Sequence, residues 1–202
     1  MVPPGGPGRI PIVSAPDPTP HVTSLEALDR RGRRVRIHLD DGESLELALE
    51  VVERTGLGAG DPLDEALRAT LVDADLRWRA REAALTYLAH RPRSRTETRR
   101  RLGRRKFPAE VVERCLEELT AKGLLNDDAF ADALVRDRLR RSPRGPARLR
   151  DELCRRGLSP VAADDAVRRG LRESGTTDED LAVEAALGWL ARRGARRLGT
   201  LL

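Results

Sequence analysis

The second half of the chain repeats itself. A shift of 51 residues lays Ala80, Ala83, Ala84 and Leu88 on Ala131, Leu134, Val135 and Leu139, and sets Leu102 on Leu153 and Phe107 on Leu158. A further shift carries Phe130, Ala131, Val135 and Leu139 onto Leu181, Ala182, Ala186 and Leu190. In each register the apolar positions keep the three- and four-residue spacing of one buried helix face. A chain patterned this way folds as successive helical units that bury their stripes in a shared core.

Punctuation divides each unit into three helices. In the first, Ser94-Arg95-Thr96-Glu97 has the form of a capping box for the second helix. Pro108 opens the third helix, whose face is Val111, Val112, Cys115, Leu116 and Leu119, and Gly123 closes it. In the second unit Asn126 caps the first helix, Pro146 opens the next and Gly157 ends it, and Ser159-Pro160 begins the last. A third unit begins at Thr177-Asp178 with one clear helix to about Ala191. Its remaining residues reach only the position of Asp151, so it is expected to be cut short.

Ahead of the repeats the pattern changes. Residues 1–20 carry seven prolines and three glycines. Such a segment cannot bury enough surface to offset its ordering and is expected to be a disordered tail without the apolar stretch of a signal peptide. Val35, Ile37 and Leu39 then alternate with polar residues, Asp41-Gly42 supplies a turn, and Leu45, Leu47 and Leu49 alternate again. With a strand at about 22–29, joined through Arg31-Gly32, this predicts a three-stranded antiparallel meander. A sheet so small needs a helix to pack on, most simply one starting near Asp61-Pro62.

The expected fold is therefore mainly α: tandem three-helix repeats, the third truncated, with a small N-terminal antiparallel three-stranded β element. The expected segments are a tail over 1–20, the meander and a linker helix over 21–75, repeats over 76–125 and 126–175, and the truncated repeat over 176–202. Charged residues make up 35% of the chain and only five aromatics are available, which favours an elongated molecule of thin helical layers.

Charge is divided unevenly. Residues 1–75 hold 8 basic and 14 acidic residues, whereas residues 76–202 hold 30 and 19. The C-terminal part is thus suited to a polyanion or an acidic protein surface. Within it, residues 91–106 hold eight arginines and Lys106 against the single acid Glu97, and residues 136–156 hold nine arginines against three acids. The 51-residue shift superposes Arg93 on Arg144, Arg99 on Arg150, Arg104 on Arg155 and Arg105 on Arg156. Together with Arg100 and Arg148, these are the candidate binding residues, a stripe on the second helices of two stacked units. A solvated face more often alternates in sign.

Other chemistry finds little support. His21, His38 and His90 lack ligand spacing, no glycine-rich phosphate loop precedes a Lys-Ser/Thr pair, and no Ser/Cys–His set stands out, so neither an enzyme nor a cofactor or metal is expected. Asp127-Asp128 follow Asn126 at a helix start, where negative charge is favoured by the dipole. Arg138 lies on an apolar face and is expected to pair with Asp128 or Glu152. Cys115 and Cys154 read as free thiols of a reducing cytosol. No apolar run approaches the roughly 18 residues of a membrane span, and a soluble cytoplasmic monomer is expected. The basic stretches lack the aromatic platforms of single-strand binders.

Several ordered segments resemble one family. Ala84-Leu85-Thr86-Tyr87-Leu88 with Arg91-Pro92-Arg93-Ser94 and Glu97 is similar to the opening of the RecX recombination regulators. Gly123-Leu124-Leu125-Asn126-Asp127-Asp128-Ala129-Phe130-Ala131 resembles that family's signature. Val135, Arg138, Gly145, Glu152-Leu153 and Arg156-Gly157-Leu158 continue in register. Thr98, Lys106 and Asn126 depart from it, standing where the family usually has Leu, Gly and Asp. The resemblance implies binding to the RecA–single-stranded DNA filament and suppression of RecA ATP hydrolysis and strand exchange. A rival reading is a sequence-independent DNA-binding protein acting directly on nucleic acid.

Overall fold

The computed structural model describes residues 19–175 except 31, 142 and 143, and beyond them residues 177, 179, 180, 183, 186, 187, 189 and 190. The expected tail up to residue 18, Arg31 of the first turn and most of the expected third unit lie outside the described residues. Contacts divide the chain into two compact units, Met1–Asp75 and Leu76–Leu202.

In the first unit β1 (Val22–Ala27), β2 (Arg34–Leu39) and β3 (Ser44–Ala48) form an antiparallel sheet in the order β1-β2-β3. On β2 the alternation resolves as expected, with Val35, Ile37 and Leu39 buried. Two features differ from the sequence expectation. The strand ends at Ala48, and Leu49 begins a short helix, α1 (Leu49–Thr55), closed by Gly56 in the left-handed region at φ 68°. The Ala48 amide donates to the Asp75 carboxylate at 2.8 Å and the Leu49 amide to the Arg33 carbonyl at 2.9 Å. The chain thus leaves the sheet one residue before the apolar alternation ends.

The second difference is the long helix α2 (Glu65–Leu88), which starts later than Pro62. Pro62 forms an isolated bridge with His21, and the Asp64 carboxylate accepts from the Leu67 amide at 2.7 Å. The cap is therefore Asp64. Arg34 to Asp75 at 2.9 Å and Arg68 to Glu43 at 2.6 Å tie the sheet to this helix.

The second unit is mostly helical. The later turns of α2, α3 (Arg95–Arg104) and α4 (Ala109–Ala121) enclose one core, in which Ala80, Ala84, Leu102, Leu116 and Leu119 are buried. The five residues expected on the α4 face are all buried there. Next, α5 (Asp127–Arg141), α6 (Pro146–Arg155) and α7 (Pro160–Ser174) enclose a second core around Phe130, Val135, Leu149, Leu153 and Ala166. Burial of a leucine such as Leu102 or its equivalent Leu153 contributes roughly 1.5–3 kcal/mol. The cores are thin enough that small residues matter: a Cβ on Gly170 would lie 2.4 Å from Val135 Cγ1, so glycine lets α7 approach α5.

Helix ends follow the expected chemistry. Ser94 and Glu97 form the complete capping box, Asn126 Oδ1 accepts from the Ala129 amide at 2.9 Å, and Ser159 accepts from the Ala162 amide at 3.2 Å. Thr177 and Asp180 exchange the same reciprocal bonds, consistent with a helix start at the expected place. Among the described residues no helix is long and apolar enough to cross a membrane.

Candidate functional site

The ten candidate arginines divide into groups that do different work. Arg99 forms two hydrogen bonds to Glu113 across α3 and α4, at 2.5 and 2.8 Å, and Arg150 meets Asp164 across α6 and α7 at 2.9 Å. Glu113 and Asp164 are themselves 51 residues apart. The same ion pair thus staples the second helix to the third in each repeat. These four side chains are all well exposed, so each staple contributes about 1 kcal/mol or less.

Arg144 and Arg156 are drawn into the joint between the repeats. Glu152, 8% exposed, receives Arg138 at 2.8 and 3.1 Å, Arg144 at 3.0 Å and Arg156 at 3.1 Å. Arg156 also reaches Glu97 at the start of α3 at 3.2 Å, and its carbonyl accepts the Ser94 hydroxyl at 2.6 Å. The Arg95 amide donates to the Asp127 carboxylate at 2.7 Å, a second tie from α3 to the following unit. Of the two acids expected for Arg138, the structure selects Glu152. The wall of the joint is close: a Cβ on Gly157 would lie 2.2 Å from Thr96.

Arg93 instead stacks on an aromatic. Its guanidinium carbon lies 4.2 Å from the centre of the Tyr87 ring, and that of Arg101 lies 5.7 Å from it.

The remaining candidates point to solvent. Arg100, Arg104 and Arg105 at the end of α3 and Arg148 on α6 are exposed and form no ion pair among the described residues, and exposed Arg155 bonds only the Asp151 carbonyl at 3.3 Å. Exposed, unpaired guanidiniums retain their forked donors for a carboxylate or phosphate.

Electrostatics separate the two kinds of arginine. Hydrogen bonds from Arg138 and then Arg156 pull the Glu152 carboxyl down to about 2 against the opposing effect of burial. Hydrogen bonds from Arg99 and then Arg95 do the same for Glu113. Both acids are charged across the physiological range and hold their arginines internally. Burial raises the Cys115 thiol to about 11, which makes it a core residue without nucleophilic character near neutral pH. Among the described residues no group of three or more His, Cys, Asp or Glu is placed to hold a metal ion.

Glu97, Glu113, Asp164 and Tyr87 were not singled out as partners of the stripe by sequence. A signal was available: acids at the same 51-residue interval as Arg99 and Arg150 mark a structural pair present in both repeats.

Two consecutive three-helix domains, tied together by the part-buried Arg156–Glu97 pair and bearing exposed arginines on their second helices, define a class of tandem helical-repeat proteins. Residues 80–119 match the family profile described as the first three-helix domain of RecX, and residues 126–167 match its second. The chain is 31% identical over 177 residues to the regulatory protein RecX of Levilactobacillus brevis, covering 87% of this chain and 64% of that one. With the regulatory protein RecX of Geobacillus kaustophilus it shares 30% identity over 179 residues, covering 87% and 65%. It also resembles a solved crystal structure of regulatory protein RecX, with a TM-score of 0.70 and 28% identity over 87% of this chain and 85% of that one. The chain belongs to the RecX family. It spans just under two thirds of the length of the two curated relatives named.

Proposed function

We propose that this protein regulates a RecA recombinase by binding, without catalysis of its own. In this reading it docks on the RecA–single-stranded DNA filament and suppresses ATP hydrolysis and strand exchange. The observation that carries the reading is the set of exposed, unpaired arginines Arg100, Arg104, Arg105, Arg148 and Arg155 on the second helices of two RecX-type domains.

The contact surface is narrower than the stripe of ten. Arg99, Arg144, Arg150 and Arg156 have carboxylate partners within the chain, and recruiting them would require breaking those pairs. A composite target of DNA backbone and acidic protein suits the rest: arginine forks match phosphate and carboxylate alike, and no aromatic is free among them to stack on bases.

RecA ATPase on single-stranded DNA, followed as the protein is added at two salt concentrations, tests the reading. The rate is expected to fall with added protein, and less so at the higher salt. An unchanged rate, with tight DNA binding in the absence of RecA at physiological salt, favours direct action on nucleic acid instead.

A further inference from the structure

The two repeats place different chemistry at four equivalent positions. In the second repeat, Arg138, Arg144 and Arg156 converge on the Glu152 carboxylate. Counting back 51 residues gives Tyr87, Arg93, Arg105 and, in the place of Glu152, Arg101. The first repeat therefore keeps two of the three arginines, exchanges the third for a tyrosine, and replaces the anion with another cation.

That substitution leaves cations without an anion. Arg93 and Arg101 both attend the Tyr87 ring, which supplies only the weak negative face of an aromatic. The Nε of Arg93 is shut off from solvent and has no hydrogen-bond partner, a costly state for a charged group's donor. Among the described residues, none of Arg93, Arg101 and Arg105 forms an ion pair, whereas their counterparts Arg144 and Arg156 both do. In the second repeat the chain fills this place with its own carboxylate.

We propose that the Tyr87–Arg93–Arg101 cluster, with exposed Arg105 four residues beyond Arg101 in the place of Arg156, is a seat for a carboxylate supplied from outside, an aspartate or glutamate side chain of a partner protein. The second repeat is the template: it shows that this place in the domain holds a carboxylate between arginine forks. The proposal deepens the regulatory reading and rests on it for the identity of the partner, since it assigns the protein side of a composite target to the first repeat. Arg100, Arg104, Arg148 and Arg155 remain for the nucleic-acid side.

Substitution of Arg101 by glutamate tests the assignment, because it restores within the first repeat the arrangement found in the second. The probe is fluorescein-labelled hexaglutamate, titrated by anisotropy against the full chain without RecA. The wild type is expected to bind, Arg101→Glu to bind about tenfold more weakly, the equivalent of one charge-assisted contact, and the charge-matched control Arg54→Glu to bind like the wild type. Thermal unfolding adds a readout that simple charge loss does not move: Arg101→Glu should match or exceed the wild-type midpoint, while Arg101→Gln loses affinity without that gain. Undiminished peptide binding by Arg101→Glu, no binding by the wild type, or a midpoint lowered by several degrees each overturns the proposal. Binding of hexathymidylate that depends on Arg101, with hexaglutamate indifferent to it, assigns the seat to phosphate and also overturns it. Because RecA is absent from this titration, its outcome is independent of the ATPase test.

Discussion

Lys106 and Gly157 occupy the same place in successive repeats, and both hold the left-handed backbone, at φ 61° and 96°. Lys106 is the only described non-glycine residue with positive φ. They differ in what stands beside them. A Cβ at 157 would strike Thr96 at 2.2 Å, because the second repeat docks there on the first. The exposed Lys106 has room for its side chain and bears only the backbone strain.

Opposite results are therefore expected at these two positions. Lys106→Gly relieves a left-handed strain of about 1 kcal/mol and should raise the urea midpoint slightly. Gly157→Ala adds both strain and a clash, and should cost roughly 2–4 kcal/mol. Equal and small effects at the two sites would contradict the packing of the joint.

Gly170 permits a second close approach. Gly170→Ala should destabilise the chain by about 1–3 kcal/mol through its clash with Val135. Combining it with Val135→Ala removes the struck atoms, so the double variant should be more stable than the sum of the single effects implies, by about 1 kcal/mol in a urea double-mutant cycle. Strict additivity would contradict direct contact.

The joint also predicts acid sensitivity. The folded-state carboxyl of Glu152 lies at about 2, against an ordinary value of 4.5. A depressed carboxyl contributes stability that is complete above the unfolded value and lost as pH falls through the folded one. Stability should therefore drop between about pH 5 and pH 2. Glu152→Gln should cost about 3 kcal/mol at pH 7 by leaving Arg144 without its anion and Arg138 and Arg156 with only Asp137 and Glu97, and should flatten the dependence in that window by close to one proton. An unchanged slope would contradict the placement of Glu152 at the centre of the network.

Local features of this fold were legible in the sequence, as were the antiparallel meander and the Arg138–Glu152 pair, but most side-chain pairings between distant residues were not. The α4 stripe, the caps at Ser94, Asn126 and Ser159, and the β2 alternation each depend on spacing within a few residues. The end of β3 was missed because Leu49 continues the alternation of Leu45 and Leu47, while the turn at Ala48 is set by Asp75, 27 residues away. The start of α2 was placed too early because Pro62 has the preferred first-turn chemistry but is held in a bridge to His21. The 51-residue spacing of the arginines reappears in the Arg99–Glu113 and Arg150–Asp164 pairs, yet identity of residue type concealed two roles. Arg150 and Arg155 are alike in sequence context, and only the fold shows that one meets Asp164 while the other is left exposed.

The central claim is that the unpaired arginines, and not the paired ones, make the regulatory contact. It is tested most directly by RecA's single-stranded-DNA-dependent ATPase in the presence of the variant carrying Arg100→Glu, Arg104→Glu, Arg148→Glu and Arg155→Glu. Helicity by circular dichroism should match the wild type, since these side chains support no core or joint contact. The account predicts that the wild-type chain lowers the ATPase rate while the fourfold variant leaves RecA at its full rate. Inhibition by the folded variant equal to that of the wild type would contradict it.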